Sequence, residues 1–394
     1  MDVTSLPVEI IQHVAYETGI LNPKDVLAFA LTSKNAYAAV LGPLGSENAF
    51  DKDQHSALGG VLFCAEKGWW NAVLLAIKRG YGDVEEVGGK NSVDSSSCSY
   101  SSDDEEYSEC GQDKTPFMLA CEAGEAKVVK ALLNCGVEPT IKALLLACWM
   151  GGVDVVATLL EDGRVDPGGN ENGAIRAAAR NGHIDIIRLL LADNRADPAF
   201  DNNHILCHAA EFGHIEVVQL LLADHRVDPA ADNDYPIRMA ARYGRTEVVQ
   251  LLLMEPHVNP AADDDYAICS AAEFGHTEVV QALLADHRVN PAADNNFPLR
   301  VATKDWYVDL MQILLVDPRV DPAVNDNLPL HTAARNGYLE IVQLLLDTGR
   351  VSPSAQQSAH STAVEKGHTA IAQLLAHPPA LASAAADPSI IIMP

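Results

Sequence analysis

Histidine and cysteine are the side chains in this sequence that could bind a metal ion or attack a substrate. The 394-residue chain contains 14 histidines and eight cysteines. The cysteines form no CxxC pair and stand at no zinc-finger spacing from the histidines. No HExxH, GxSxG or dinucleotide-binding glycine motif occurs, and Gly88, Gly89 and Lys90 lack the spacing of a phosphate-binding loop. We therefore expect that the protein is not an enzyme and has no catalytic residue, metal site or cofactor.

Several cysteines fall at apolar helix positions, where a reduced thiol packs as a small hydrophobic group. The first residues lack the basic and long apolar regions of a secretory signal. No window of the sequence approaches the roughly 18 apolar residues of a membrane span. We expect an intracellular protein that is cytoplasmic, nuclear or both.

The charge of the chain limits its partners. A formal net charge of -27 repels the phosphates of nucleic acids and anionic lipids, so we expect no nucleic-acid and no membrane partner. The same charge suits a protein partner with a basic segment, or it serves solubility alone. We expect a monomer outside its complex.

A repeat of 31 residues dominates the sequence and indicates the elements that would position any site. Related segments begin at Asp201, Asp232, Asp263, Asp294 and Asn325. In the first of them, two helix-like runs are separated by Gly213. Their apolar residues recur at helical spacing, at Ile205, Leu206, Ala209 and Ala210, then at Val217, Val218, Leu221 and Leu222. Helices this short cannot bury their apolar faces alone, so the pattern predicts a stack of helix pairs.

These units resemble ankyrin repeats. The best match runs from Thr115 to Pro139, with weaker starts near Val61 and Ala143 and a last unit over Ala359 to His377. The resemblance implies an all-α, ankyrin-type helical repeat solenoid of about ten helix pairs that binds proteins in a concave groove. It also implies a structural role for the histidines after the helix-ending glycines, which are His183, His214, His276 and His368.

The units depart from the family at their tips. Their period is shorter than the usual 33 residues, and Tyr235-Pro236-Ile237-Arg238 stands where the family opens with threonine. The sequence leaves open whether the tips form long β-fingers or compact turns. Asp and Asn residues at the tips favour turns, and their carboxylates could also attract a basic segment.

Residues 1–50 do not repeat and read as three helices. They resemble the F-box family at Leu6, Pro7, Glu9, Ile10, Val14 and Leu27. The resemblance implies that these residues dock on the Skp-type adaptor of a cullin–RING ubiquitin ligase, with the repeats as substrate receptor. The alternative is an ankyrin scaffold whose N-terminal helices only cap the exposed end of the stack.

The remaining boundaries follow from composition. We expect an F-box-like domain at 1–50, a divergent first repeat at 51–84 and a disordered insert at 85–113 that is rich in Ser, Asp and Glu. The repeat solenoid would cover 114–379 and a flexible tail 380–394. In the insert, Ser101 and Ser102 precede a run of acidic residues, a context that acidophilic kinases favour, although an unregulated insert fits equally well.

The resemblance to ankyrin repeats implies that the column of residues just before the helix-ending glycines faces the partner-binding groove. The groove residues are Trp149, Met150, Phe212, Tyr243 and Phe274. Exposed rings at such positions are typical of binding hot spots, and the alternative is that they pack against one another. The residue one position before the groove residue alternates in charge from repeat to repeat, as in Arg242 and Glu273. This alternation predicts ion pairs between neighbouring repeats.

Overall fold

A computed structural model describes residues 115–377, which form 18 α-helices and no β-strand in that range. They belong to two compact units that divide between Phe200 and Asp201. The first unit contains α1 (Pro116–Glu122), α2 (Ala126–Asn134), α3 (Ile141–Met150), α4 (Val153–Asp162), α5 (Gly169–Arg180) and α6 (Ile184–Asp193).

Up to residue 377, the second unit contains twelve helices, the first of which begins at the boundary. They are α7 (Phe200–Phe212), α8 (Ile215–Leu222), α9 (Ala231–Arg242), α10 (Thr246–Leu253), α11 (Ala262–Glu273), α12 (Thr277–Leu284), α13 (Ala293–Lys304), α14 (Val308–Val316), α15 (Val324–Asn336), α16 (Leu339–Asp347), α17 (Pro353–Lys366) and α18 (Thr369–Ala376). The helices alternate as inner and outer members of nine pairs. The predicted pair near Val61, the F-box-like residues, Ser101, Ser102 and the tail lie outside the described residues.

Small side chains hold the inner helices together within each unit. Helix α9 packs on α11, and α11 packs on α13. The alanine pairs at 240–241 and 271–272 are fully buried at these contacts, where the absence of longer side chains lets the helices approach closely. The outer helices bury a Val-Val-x-x-Leu face, as in Val248, Val249 and Leu252. Burial of each such side chain contributes about 1.5–3 kcal/mol.

Two kinds of helix start occur along the inner helices. Thr115, Thr140 and Ser352 cap α1, α3 and α17 by accepting a backbone N–H in the first turn. The inner helices between them begin with three consecutive residues in the left-handed region. These triplets are 170–172, 201–203, 232–234, 263–265, 294–296 and 325–327. Asn and Asp tolerate this conformation better than most residues, which explains their repetition at the tips.

The left-handed triplets show which of the two predicted conformations the tips adopt. They are compact turns, and no β-finger occurs in residues 115–377. Right-handed helix begins directly after each triplet, so Pro236 stands in a first helical turn, where a missing N–H is harmless.

In the first five of these triplets, the third residue joins its repeat to the next one. Its Oδ1 accepts a hydrogen bond from the backbone N–H 25 residues later, at 2.7 to 2.9 Å. The acceptors are Asn172, Asn203, Asp234, Asp265 and Asn296. Because these side chains are buried, the prediction that tip carboxylates attract a basic segment is wrong for Asp234 and Asp265. The first two residues of those triplets are exposed.

An arginine after several of the outer helices supplies a second connection between repeats. Arg288 forms a bidentate pair with Asp286 at 2.6 Å and donates to the Val258 carbonyl of the preceding repeat, also at 2.6 Å. Arg195, Arg319 and Arg350 reach the corresponding valine carbonyls. The repeat with Glu255 and His257 lacks both the aspartate and the arginine of this pattern.

Candidate protein-binding surface

The turn between inner and outer helices places one side chain over the preceding repeat. Gly244 adopts a φ of +70°, and a Cβ there would lie 2.7 Å from the His276 ring. The Nε2 atoms of His183, His276 and His368 lie 3.0 Å from carbonyl oxygens of Trp149, Arg242 and Arg335. These contacts confirm the structural role predicted for the three histidines.

His214 occupies the same position in its own repeat. Its ring stacks on Phe212 with the centroids 6.3 Å apart. In residues 115–377, no set of three or more His, Cys, Asp or Glu side chains is arranged to hold a metal ion. Over the same residues, every helix is too short or too polar to cross a membrane.

The buried thiols are poor nucleophiles. Burial raises the pKa of Cys121 and Cys207 to about 12, and it raises the pKa of Cys148 further. A thiol is reactive as the thiolate, so these residues act as core side chains, as the sequence indicated. Cys135 is exposed.

Tyr243 and Phe274 form the exposed part of the predicted groove column in the second unit. Their exposed fractions are 43% and 48%, while Phe212 is half-buried. Phe274 also stacks on His276, with ring centroids 6.3 Å apart. The two exposed rings therefore do not bury each other, although their contact with a partner stays a prediction.

Arg242 lies against both exposed rings. Its guanidinium carbon is 5.4 Å from the ring centre of Phe274 and 6.0 Å from that of Tyr243, and it donates to the Tyr266 hydroxyl at 2.9 Å. The expected ion pair between Arg242 and Glu273 is therefore wrong. Cation–π contacts and a phenol hydroxyl occupy the guanidinium instead.

Trp149 and Met150 lie at the end of α3 in the first unit. Met150 is 49% exposed. Trp149 is half-buried, and Arg180 lies over its ring at 5.8 Å. The first unit thus repeats the arrangement of an arginine on an aromatic ring beside the same turn.

The sequence analysis missed Trp306, which occupies the helix-ending glycine position between α13 and α14. Its φ is +60°, and it is 54% exposed. The turn is otherwise unchanged, because the Tyr307 N–H bonds the Ala302 carbonyl as the His276 N–H bonds Ala271. The column was defined by the residue before the glycine position, so it counted Asp305 in this repeat and passed over Trp306 at the glycine position itself. The missing glycine itself was the available signal.

A row of carboxylates begins the outer helices beside these turns. Its members are Asp154 and Asp185 in the first unit and Glu216, Glu247, Glu278, Asp309 and Glu340 in the second. All are exposed. Acidic side chains in a first turn are stabilised by the helix dipole. Within residues 115–377 none of these side chains forms a salt bridge.

Comparison with known proteins agrees with this geometry. The family described as ankyrin repeats (3 copies) matches residues 62–168, 144–233, 237–326 and 299–383. Among solved structures, the crystal structure of the human ASB11 ankyrin repeat domain is 21% identical, with a TM-score of 0.42. That match covers 53% of this chain and 99% of the other. No curated protein matches this chain significantly.

Proposed function

Because this chain belongs to the ankyrin repeat family, a family of protein–protein interaction modules, we propose that it is the substrate-recognition subunit of a cullin–RING ubiquitin ligase. The repeats bind the target, and the F-box-like segment docks on a Skp-type adaptor. The protein acts by binding and not by catalysis, and it works in the cytoplasm, the nucleus or both.

Target binding is supported by the exposed aromatic surface of the second unit. This surface consists of Tyr243, Phe274 and Trp306. Large aromatic side chains that are half-exposed are favoured in interfaces, because a partner removes their area from water. Each ring can contribute about 2 kcal/mol when a partner buries it.

Adaptor docking is supported by the sequence at Leu6, Pro7, Glu9, Ile10, Val14 and Leu27. These residues match the F-box pattern of a Leu-Pro-x-Glu start followed by spaced apolar positions. Their place before the repeat array suits a subunit that connects a bound target to the ligase.

An affinity purification from cell lysate tests the ligase assignment. The intact chain should recover a Skp-type adaptor and a cullin. Combined substitution Leu6→Ala, Pro7→Ala and Ile10→Ala should abolish that recovery, while Tyr243→Ala with Phe274→Ala should leave it unchanged. Recovery of no adaptor by the intact chain would refute the assignment.

Deletion of residues 1–50 separates this function from the capping alternative. A ligase subunit should lose the adaptor and keep the melting temperature of its repeats. A cap should instead lower the melting temperature on deletion and remove no specific partner.

A further inference from the structure

Trp306 holds a backbone conformation that other repeats reserve for glycine. The equivalent residues Gly213, Gly244, Gly275 and Gly337 all have positive φ. A bulky side chain in the left-handed region is unfavourable, and strained residues that persist concentrate at functional sites. The turn keeps its backbone hydrogen bond without help from the indole, so the turn itself does not require tryptophan here.

The indole is also 54% exposed, and no ring other than Tyr338 stacks on it within residues 115–377. Its ring stacks on Tyr338, with centroids 6.1 Å apart and planes inclined by 25°. No cation lies over it among the described residues. Elsewhere this chain does place cations on such rings, since Arg242 lies on Phe274 and Tyr243.

A cleft of about 370 Å³ opens beside the indole. It is lined by Gly275, Thr277, Trp306, Tyr307, Asp309 and Glu340, among others. Asp309 and Glu340 are exposed, and their carboxylates form no hydrogen bond or salt bridge with the rest of residues 115–377. The cleft is largely open to solvent, so a side chain of a bound protein can reach the indole and these carboxylates.

We propose that this cleft binds an arginine side chain of a basic segment in the target protein. The guanidinium lies on the exposed face of Trp306 and donates to Asp309 and Glu340. The inference rests on the proposed function, in that the target is a protein, and it adds the chemistry by which that target is recognised.

Three observations favour arginine over other groups. Indole is the best cation–π acceptor among side chains, and a planar guanidinium stacks while it donates to carboxylates. Arg242 provides the intramolecular precedent on the neighbouring rings. The net charge of -27 favours a basic protein segment over an acidic ligand.

Selection of random linear peptides on the full-length chain tests the proposal. Peptides enriched on the wild-type chain should share an arginine, and the same selection on Trp306→Gly should lose that enrichment. Peptides enriched without a basic residue, or no enrichment on the wild-type chain, would overturn the proposal.

Binding of one selected peptide, measured by fluorescence anisotropy, locates the site. Trp306→Gly should weaken peptide binding about tenfold. Glu340→Lys should also weaken peptide binding, and its effect should be larger at low salt than at high salt. Replacing the peptide arginine by glutamine should have an effect as large as Trp306→Gly. Met254→Ala, which removes an exposed apolar side chain elsewhere (73% exposed), should leave binding unchanged.

Thermal melting is the control that shows whether each variant is folded. Trp306→Gly should melt no lower than the wild type, because glycine relieves the backbone, and Glu340→Lys changes only an exposed side chain. If binding survives both substitutions in folded protein, the cleft is not the site. Adaptor recovery is a separate measurement, so failure of the ligase assignment and failure of the cleft can be told apart.

Discussion

Asp234 Oδ1 accepts the backbone N–H of Asn259 at 2.7 Å, across the contact between two repeats. Burial raises the pKa of Asp234 above its usual value, and the hydrogen bond from Asn259 only partly opposes that rise. Asp265 has the same partner geometry and the same direction of pKa shift. The neighbouring repeats carry Asn203 and Asn296, which accept the bond without a charge.

We therefore expect Asp234→Asn to stabilise the protein at neutral pH. A carboxyl whose folded pKa is raised binds its proton more tightly in the folded state. Its contribution is thus most favourable below the unfolded pKa near 3.9, and it is lost as pH rises through the folded pKa. Urea unfolding at pH 7 should show a higher midpoint for Asp234→Asn, and the gain should shrink toward pH 4. A gain of equal size at both pH values would contradict this account.

Arg288 should stabilise the contact between its repeat and the preceding one. Arg288→Ala removes the guanidinium donors to the Val258 carbonyl and to Asp286. We expect a loss of about 1 kcal/mol, reduced from the value for a buried charged hydrogen bond by partial exposure. Chemical denaturation measures this loss.

The repeat with Glu255 and His257 lacks this arginine connection and offers the reverse experiment. Glu255→Asp combined with His257→Arg restores the Asp-x-Arg pattern, and the new arginine should reach the Val227 carbonyl, 30 residues earlier. The double variant should gain a similar stability. A neutral or destabilising effect would show that the Asp-x-Arg pattern alone does not form the connection to the preceding repeat.

Gly275 should tolerate alanine less well than Gly367. Both residues have positive φ, at +73° and +78°, so alanine strains the backbone at both by roughly 1–2 kcal/mol. A Cβ at Gly275 would also lie 2.9 Å from Tyr307 Cζ, while nothing lies within 4 Å at Gly367. The free energy of unfolding should therefore fall further for Gly275→Ala, and equal losses would show that Tyr307 moves freely.

Alkylation should distinguish the cysteines of the repeats. Because burial raises the pKa of Cys121 and Cys207 to about 12, their thiols stay protonated and protected at pH 8. Peptide mass spectrometry after brief iodoacetamide treatment should find Cys135 modified and these two unmodified until urea is added. Rapid modification of Cys207 in native protein would show that α7 opens locally.

The repeat chemistry was predictable because it depends on side-chain spacing. The helix pairs and the buried alanine pairs follow from period and residue type, and the roles of His183, His276 and His368 follow from the resemblance to ankyrin repeats. The left-handed triplets were only partly predictable. Asp and Asn indicated turns, but the partner of Asp234 is a backbone N–H. Because nearly every residue has a backbone N–H, the sequence could not identify this partner.

The binding surface was less accessible to sequence reasoning for a related reason. Tyr243 and Phe274 stood in a regular column and were found, whereas Trp306 replaces the residue that defines the column. The charge alternation at Arg242 and Glu273 suggested ion pairs. Side-chain geometry instead gave Arg242 two aromatic rings and the Tyr266 hydroxyl.

The connections between repeats end largely on main-chain atoms. Asp234 bonds an amide N–H, Arg288 bonds a carbonyl, and His276 lies against another carbonyl. Main-chain atoms are the same in every repeat, so a neighbour need not carry a matching side chain to be accepted. Loss or duplication of a whole 31-residue block in the gene would therefore preserve these junctions while changing the row of exposed residues, and new target preferences could evolve by recombination without a new fold.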